Sequence, residues 1–107
     1  MKDEEKNLQE AILDYLGVDK RGYFWRNNTG IATFGERKVA YGKKGSADII
    51  GMYKGQFIGI EVKSKRGKQS EDQKTFQYWV TVAGGVYYLA NDIDKFLEWF
   101  NKLKMKL

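Results

Sequence analysis

The sequence predicts an α/β domain, a mixed sheet flanked by helices, on three observations. Apolar residues recur at helical spacing near both ends of the chain and again after residue 70. The stretch between is broken into short β-rich runs by glycine and asparagine turns. Hydrophobic and charged residues, 42% and 31%, stand in a globular rather than a disordered balance. With 107 residues there is room for a single domain, residues 1–107, around one modest core. No proline, repeat or linker-like tract divides it.

The first helix is expected over residues 3–16, with Asp3 as N-cap and Gly17 as its stop. Leu8, Ile12, Tyr15 and Leu16 form its apolar stripe, and Glu5 falls within about 20° of Ile12 on the helical wheel. An acid is therefore aimed inward. Strand-like segments follow at 23–26, 32–34 and 38–41, with Asn27-Asn28-Thr29-Gly30 as a turn. After the loop 42–46, residues 47–53 and 56–63 flank Lys54-Gly55 as a tight hairpin. Residues 65–69 form a basic loop. Ser70 and Gln73 make a capping box for a second helix with Phe76, Trp79, Val80 and Ala83 on its inner face, stopped by Gly84-Gly85. A strand at 86–90 follows. Asn91 then caps a final amphipathic helix carrying Ile93, Phe96, Leu97, Phe100 and Leu103. The order read along the chain is α-β-β-β-β-α-β-α.

Composition excludes several chemistries. There is no cysteine and no histidine, so disulfides, Cys/His zinc sites, a Ser-His-Asp triad and a cysteine nucleophile are all impossible. Chemistry must run on carboxylates, lysines and hydroxyls, with or without a hard metal. A net charge of +5 favours a polyanionic partner. The N-terminus is too charged for a secretory signal, and no apolar run approaches the roughly 20 residues that span a bilayer. No membrane association and a cytoplasmic setting are expected.

The hairpin carries the sharpest expectation. A two-residue turn at Lys54-Gly55 places Tyr53 opposite Gln56 and Asp48 opposite Glu61, with Cβ atoms about 4.5–5.5 Å apart on one face. Two opposed carboxylates repel, and a divalent cation between them turns that repulsion into a ligand set. Lys63 projects from the same face, while Ile58, Ile60 and Val62 alternate onto the other. A three-residue loop instead slips the register and separates the acids. Hard oxygen ligands without His or Cys favour Mg²⁺ or Mn²⁺. The Val62 backbone carbonyl and Glu5, with Glu4 the next acid along, are further ligand candidates. Phosphodiester hydrolysis suits such a trio, because it needs an oriented water and charge neutralisation at phosphorus.

Ser46-Ala47-Asp48 followed by Ile60-Glu61-Val62-Lys63 resembles the D…(D/E)-x-K signature of the PD-(D/E)XK nuclease superfamily. The flanking blocks narrow the resemblance to the VRR-NUC (virus-type replication-repair nuclease) family, over nearly the whole chain. They are Glu5 and Gln9 ahead of Ala11-Ile12-Leu13, Phe24 through Gly30, Gly42 through Gly51, Glu61-Val62-Lys63-Ser64, Ser70 with Gln73, and Gly84 through Tyr87. Position 47 is alanine where the superfamily's name has proline. The resemblance implies a restriction-endonuclease-like αβββαβ core with an added C-terminal helix. It also implies metal-dependent cleavage of DNA, with stand-alone members looking like phage-type Holliday junction resolvases and forming homodimers. On that footing Asp48 and Glu61 bind metal, Lys63 assists the water, Glu5 completes the acidic cluster and Gln73 sits near the site.

Other readings of the same residues stay open. Glu61 and Lys63 can be a surface ion pair worth under about 1 kcal/mol, and Gln73 is explained by its capping box. Arg26, Asn27, Asn28 and Ser46, the pair Lys43 and Lys44, and the cluster Lys65, Arg66 and Lys68 are candidates for DNA contact or ordinary solvated loops. The alternative to an enzyme is a catalytically inactive DNA-binding module that retains a nuclease fold.

Overall fold

The computed structural model describes residues 3–107. Its elements are α1 (Asp3–Leu16), β1 (Gly22–Arg26), β2 (Gly30–Phe34), β3 (Arg37–Tyr41), β4 (Ile49–Tyr53), β5 (Gln56–Val62), α2 (Glu71–Val82), β6 (Val86–Ala90) and α3 (Ile93–Lys106).

The β4–β5 hairpin sets the frame. Lys54 and Gly55 both take positive φ, 50° and 83°, the turn geometry whose twist matches the flanking strands. Gly55 meets that demand without the steric cost a side chain carries. The pairing runs from Tyr53↔Gln56 to Ile49↔Ile60, the expected two-residue register. β1 joins β4 antiparallel, and β6 joins β5 parallel, giving the mixed order β1-β4-β5-β6. A parallel neighbour requires a long crossover, and α2 supplies it.

The strands fall where the sequence marks them, but they do not form one sheet. β2 and β3 pair only with each other, as a separate two-stranded sheet inserted between β1 and β4. Five strands precede α2, at the five segments marked by the sequence, one more than the order α-β-β-β-β-α-β-α counts. Without the insertion, the chain runs α1-β1-β4-β5-α2-β6, the αβββαβ order, followed by the C-terminal α3.

Alternation along β4 and β5 builds the core. Ile49, Tyr53, Ile58, Ile60 and Val62 are buried on one face against Ile12 and Leu16 of α1 and Phe96 and Phe100 of α3. Each such side chain contributes about 1.5–3 kcal/mol on leaving water. The Tyr53 and Phe100 rings meet edge-on with centroids 5.4 Å apart. α2 lies on the opposite face, and none of its residues is fully buried. Trp79, expected on the inner face, is 62% exposed. It borders an apolar groove with Phe57, Phe76 and Val80 at the rim of the helix–sheet contact. The last helix is capped by Asp92, not Asn91. Asp92 has the extended backbone of a cap, and its side chain accepts the N–H of Lys95 at 3.0 Å, a reach that Asn91 is one residue too early to make. Among the described residues no helix is long and apolar enough to cross a membrane.

Candidate active site

Asp48 and Lys63 each stand one residue beyond a paired strand, at the open end of the β4–β5 hairpin. The register extended one step past Ile49↔Ile60 brings Asp48 opposite Glu61. Asp48 reaches across: its Oδ2 accepts the backbone N–H of Val62 at 2.8 Å. Its own carbonyl accepts the N–H of Asn27 at 2.7 Å, so β1 holds the backbone from the other side. Asn27 also donates from Nδ2 to Ser46 Oγ at 2.6 Å and to the Ala47 carbonyl at 2.9 Å. These bonds tie the loop before Asp48 to the end of β1. Asn27 and Ser46 thus act first on the position of the acid.

Glu61 is the unusual group. Its side chain is only 3% exposed, and its Oε2 lies 3.9 Å from Lys63 Nζ. The same oxygen accepts from Gln73 Nε2 at 3.1 Å. Gln73 also accepts the Ser70 N–H through Oε1 at 2.8 Å, completing the capping box. One amide therefore starts α2 and holds the acid. Glu61 Oε1 is buried with no hydrogen-bond donor. Burial first, and then the charge of Asp48, push the Glu61 carboxyl well above the usual carboxylate range, with Lys63 opposing them in part.

The third acid stands off. Glu5 is felt at Glu61 as a like charge, yet its Oε2 accepts the N–H of Ser64 at 3.1 Å. Glu4 does the same for Lys65 at 3.1 Å. Among the described residues no three Asp or Glu side chains converge closely enough to form a ready-made ion site. The core of the centre is the Asp48–Glu61 pair with Lys63. N–H and C=O of one strand residue point to the same side, so the Val62 carbonyl faces Asp48 as its N–H does.

Beside Asp48 lies a cleft of about 210 Å³, lined also by Gln9, Arg26, Asn27, Asn28 and Thr29. Arg26 and Asn28 therefore share a surface with Asp48. Lys65, Arg66 and Lys68 are exposed on the loop that follows Lys63. Lys43 and Lys44 border the apolar groove with Trp79, and Lys44 pairs with Asp72 at 3.3 Å. Two residues escaped the sequence-based site. Gln9 is 1% exposed, and its legible signals were its place a helical turn after Glu5 and its membership, with Glu5, of the first block of the resemblance. Tyr87 accepts from Gln69 Nε2 at 3.1 Å, and burial pushes its phenol up to about 12, with the charges of Glu61 and Asp48 adding to the rise. Only the parallel crossover brings Tyr87 there.

Compared with models of known protein families and with curated proteins, the chain finds no match. The chemistry of the centre therefore rests on its geometry. Two carboxylates, a buried oxygen without a donor and an adjacent ammonium fit a hard divalent cation, which supplies what Glu61 Oε1 lacks.

Proposed function

We propose that the chain is a Mg²⁺- or Mn²⁺-dependent endonuclease that hydrolyses DNA phosphodiester bonds. One observation carries the reading: a buried strand glutamate faces a second acid, has an oxygen with no donor, and stands 3.9 Å from a lysine. An arrangement selected for stability alone avoids buried, like-charged neighbours.

Asp48, Glu61 and the Val62 carbonyl would hold the cation. When bound, it supplies Lewis-acid polarisation of phosphate oxygens and a more acidic water. Lys63 orients the attacking water and offsets charge that develops on phosphate oxygens. Gln73 fixes the Glu61 carboxyl through its amide N–H, and Asn27 with Ser46 holds Asp48 in register. Arg26 and Asn28 stand beside Asp48 to take up phosphate, and Lys65, Arg66 and Lys68 extend the basic surface along the DNA. The resemblance to virus-type replication-repair nucleases supports branched or junction DNA as substrate. It also supports a homodimer, whose two centres cut two strands about a two-fold axis.

The test incubates plasmid and branched DNA with the protein in Mg²⁺, Mn²⁺ or EDTA. Cleavage is expected in either metal, none in EDTA, and none from Asp48→Ala, Glu61→Ala or Lys63→Ala. Salt-sensitive binding without turnover in any metal makes the chain an inactive DNA-binding module instead.

A further inference from the structure

We infer that Gln9 is a cation ligand of this site, its side-chain amide oxygen bound directly or through one water, and that it is the main contribution of α1. The inference rests on the cation reading proposed above and deepens it.

Among the described residues only two buried side-chain polar atoms lack a hydrogen-bond partner, Gln9 Oε1 and Glu61 Oε1. Both are oxygens. Both border Asp48: Gln9 lines the same cleft, and Glu61 is its carboxyl neighbour. Buried polar groups in native folds are almost always satisfied, so two orphan acceptors around a carboxylate mark a place where something electropositive binds.

Several nearby protein donors are already committed, whereas Arg26 and Asn28 line the same cleft without reaching either orphan oxygen. Val62 N–H serves Asp48, Gln73 Nε2 serves Glu61, Ser64 N–H serves Glu5, and Asn27 Nδ2 serves Ser46 and Ala47. A hard cation, with its retained waters, answers all the orphan oxygens at once, and amide oxygens are ordinary ligands for such ions. Helix geometry separates Gln9 from Glu5. The two lie one turn apart on one face, but Glu5 is only half-buried and caps the chain after β5, whereas Gln9 is 1% exposed and reaches the cleft. If the amide is turned so that Nε2 faces the cleft, Gln9 becomes a phosphate donor. That rival has opposite chemistry.

The experiment titrates Mn²⁺ into the full chain without DNA, following free Mn²⁺ by electron paramagnetic resonance, for the parent, Gln9→Met and Gln9→Glu. Near-UV circular dichroism checks that each is folded. Gln9→Met, which keeps the bulk but loses the oxygen, is expected to raise the Kd about tenfold. Gln9→Glu, which keeps oxygens and loses the N–H, is expected to bind at least as tightly as the parent. Parent-like binding by Gln9→Met overturns the inference, and so does weaker binding by Gln9→Glu. If Gln9→Met does not fold, Gln9→Asn takes its place with the same expected loss. A parent that takes up no Mn²⁺ removes the cation reading and Gln9 with it, whereas normal parent binding left intact by the Met variant removes Gln9 alone.

Discussion

Replacing Glu61 by glutamine is expected to make the metal-free protein more stable and, on the proposed cation reading, to abolish uptake of Mn²⁺. In the folded chain the Glu61 carboxyl is held protonated at neutral pH, first by burial and then by Asp48, although its ordinary value is 4.5. Folding at pH 7 must therefore bind a proton about two and a half pH units above that value. At about 1.4 kcal/mol per unit, this costs between about 3 and 4 kcal/mol. Because the folded value is raised, the group's contribution is most favourable below pH 4.5 and is lost as pH rises toward the folded value. Glutamine mimics the protonated acid: one end can accept from Gln73, and the other can donate to Asp48. Urea unfolding in EDTA is expected to show Glu61→Gln more stable than the parent by about 3–4 kcal/mol at pH 7, but by under about 1 kcal/mol at pH 5. Added Mn²⁺ is expected to raise the parent's midpoint and leave the variant's unchanged. A difference that does not grow with pH, or a variant less stable at pH 7, refutes the reasoning about burial.

Three further outcomes follow from other parts of the molecule. Asp19 accepts from Arg21 Nη2 at 2.8 Å and from Tyr53 Oη at 2.7 Å, and these bonds, Arg21's first, hold its carboxyl far below the usual range. Its stabilisation is therefore present above pH 3.8 and lost as pH falls through the folded value, so Asp19→Asn is expected to lower the urea midpoint at pH 7 and to converge with the parent in strong acid. Excising residues 30–41 and closing the gap with a short glycine linker is expected to leave the four-stranded sheet intact, with a stability change under about 1 kcal/mol, because a lone hairpin is only marginally stable. Circular dichroism and urea unfolding measure it. Replacing Lys65, Arg66 and Lys68 singly by alanine is expected to weaken DNA binding alike across sequences and to lower the salt slope by about 1 each, read from binding isotherms at several salt concentrations.

Much of the fold was written locally. The β4–β5 register follows from a two-residue turn and from side chains that alternate with period two, and both are properties of neighbouring residues. That is why Asp48, Glu61 and Lys63 could be placed together without coordinates. The Ser70–Gln73 capping box is equally local, and the structure has it. The cap of α3 moved by one residue because Asn91 and Asp92 are both good caps, and the backbone path after β6 chooses between them. Trp79 was misplaced because helical spacing marks an apolar stripe without saying how wide a sheet awaits it.

Sequence by itself determined the α/β class, the alternation that builds one buried face, and the acid pair with its lysine at the mouth of one hairpin. Only the tertiary structure decided what surrounds that pair: the Gln73 amide on Glu61, Tyr87 behind it, Gln9 rather than Glu5 buried beside Asp48, and β2–β3 standing apart from the sheet. The reason is physical. Turn geometry and side-chain parity act over a few residues, whereas desolvation and orphaned polar atoms depend on which distant elements close over a site.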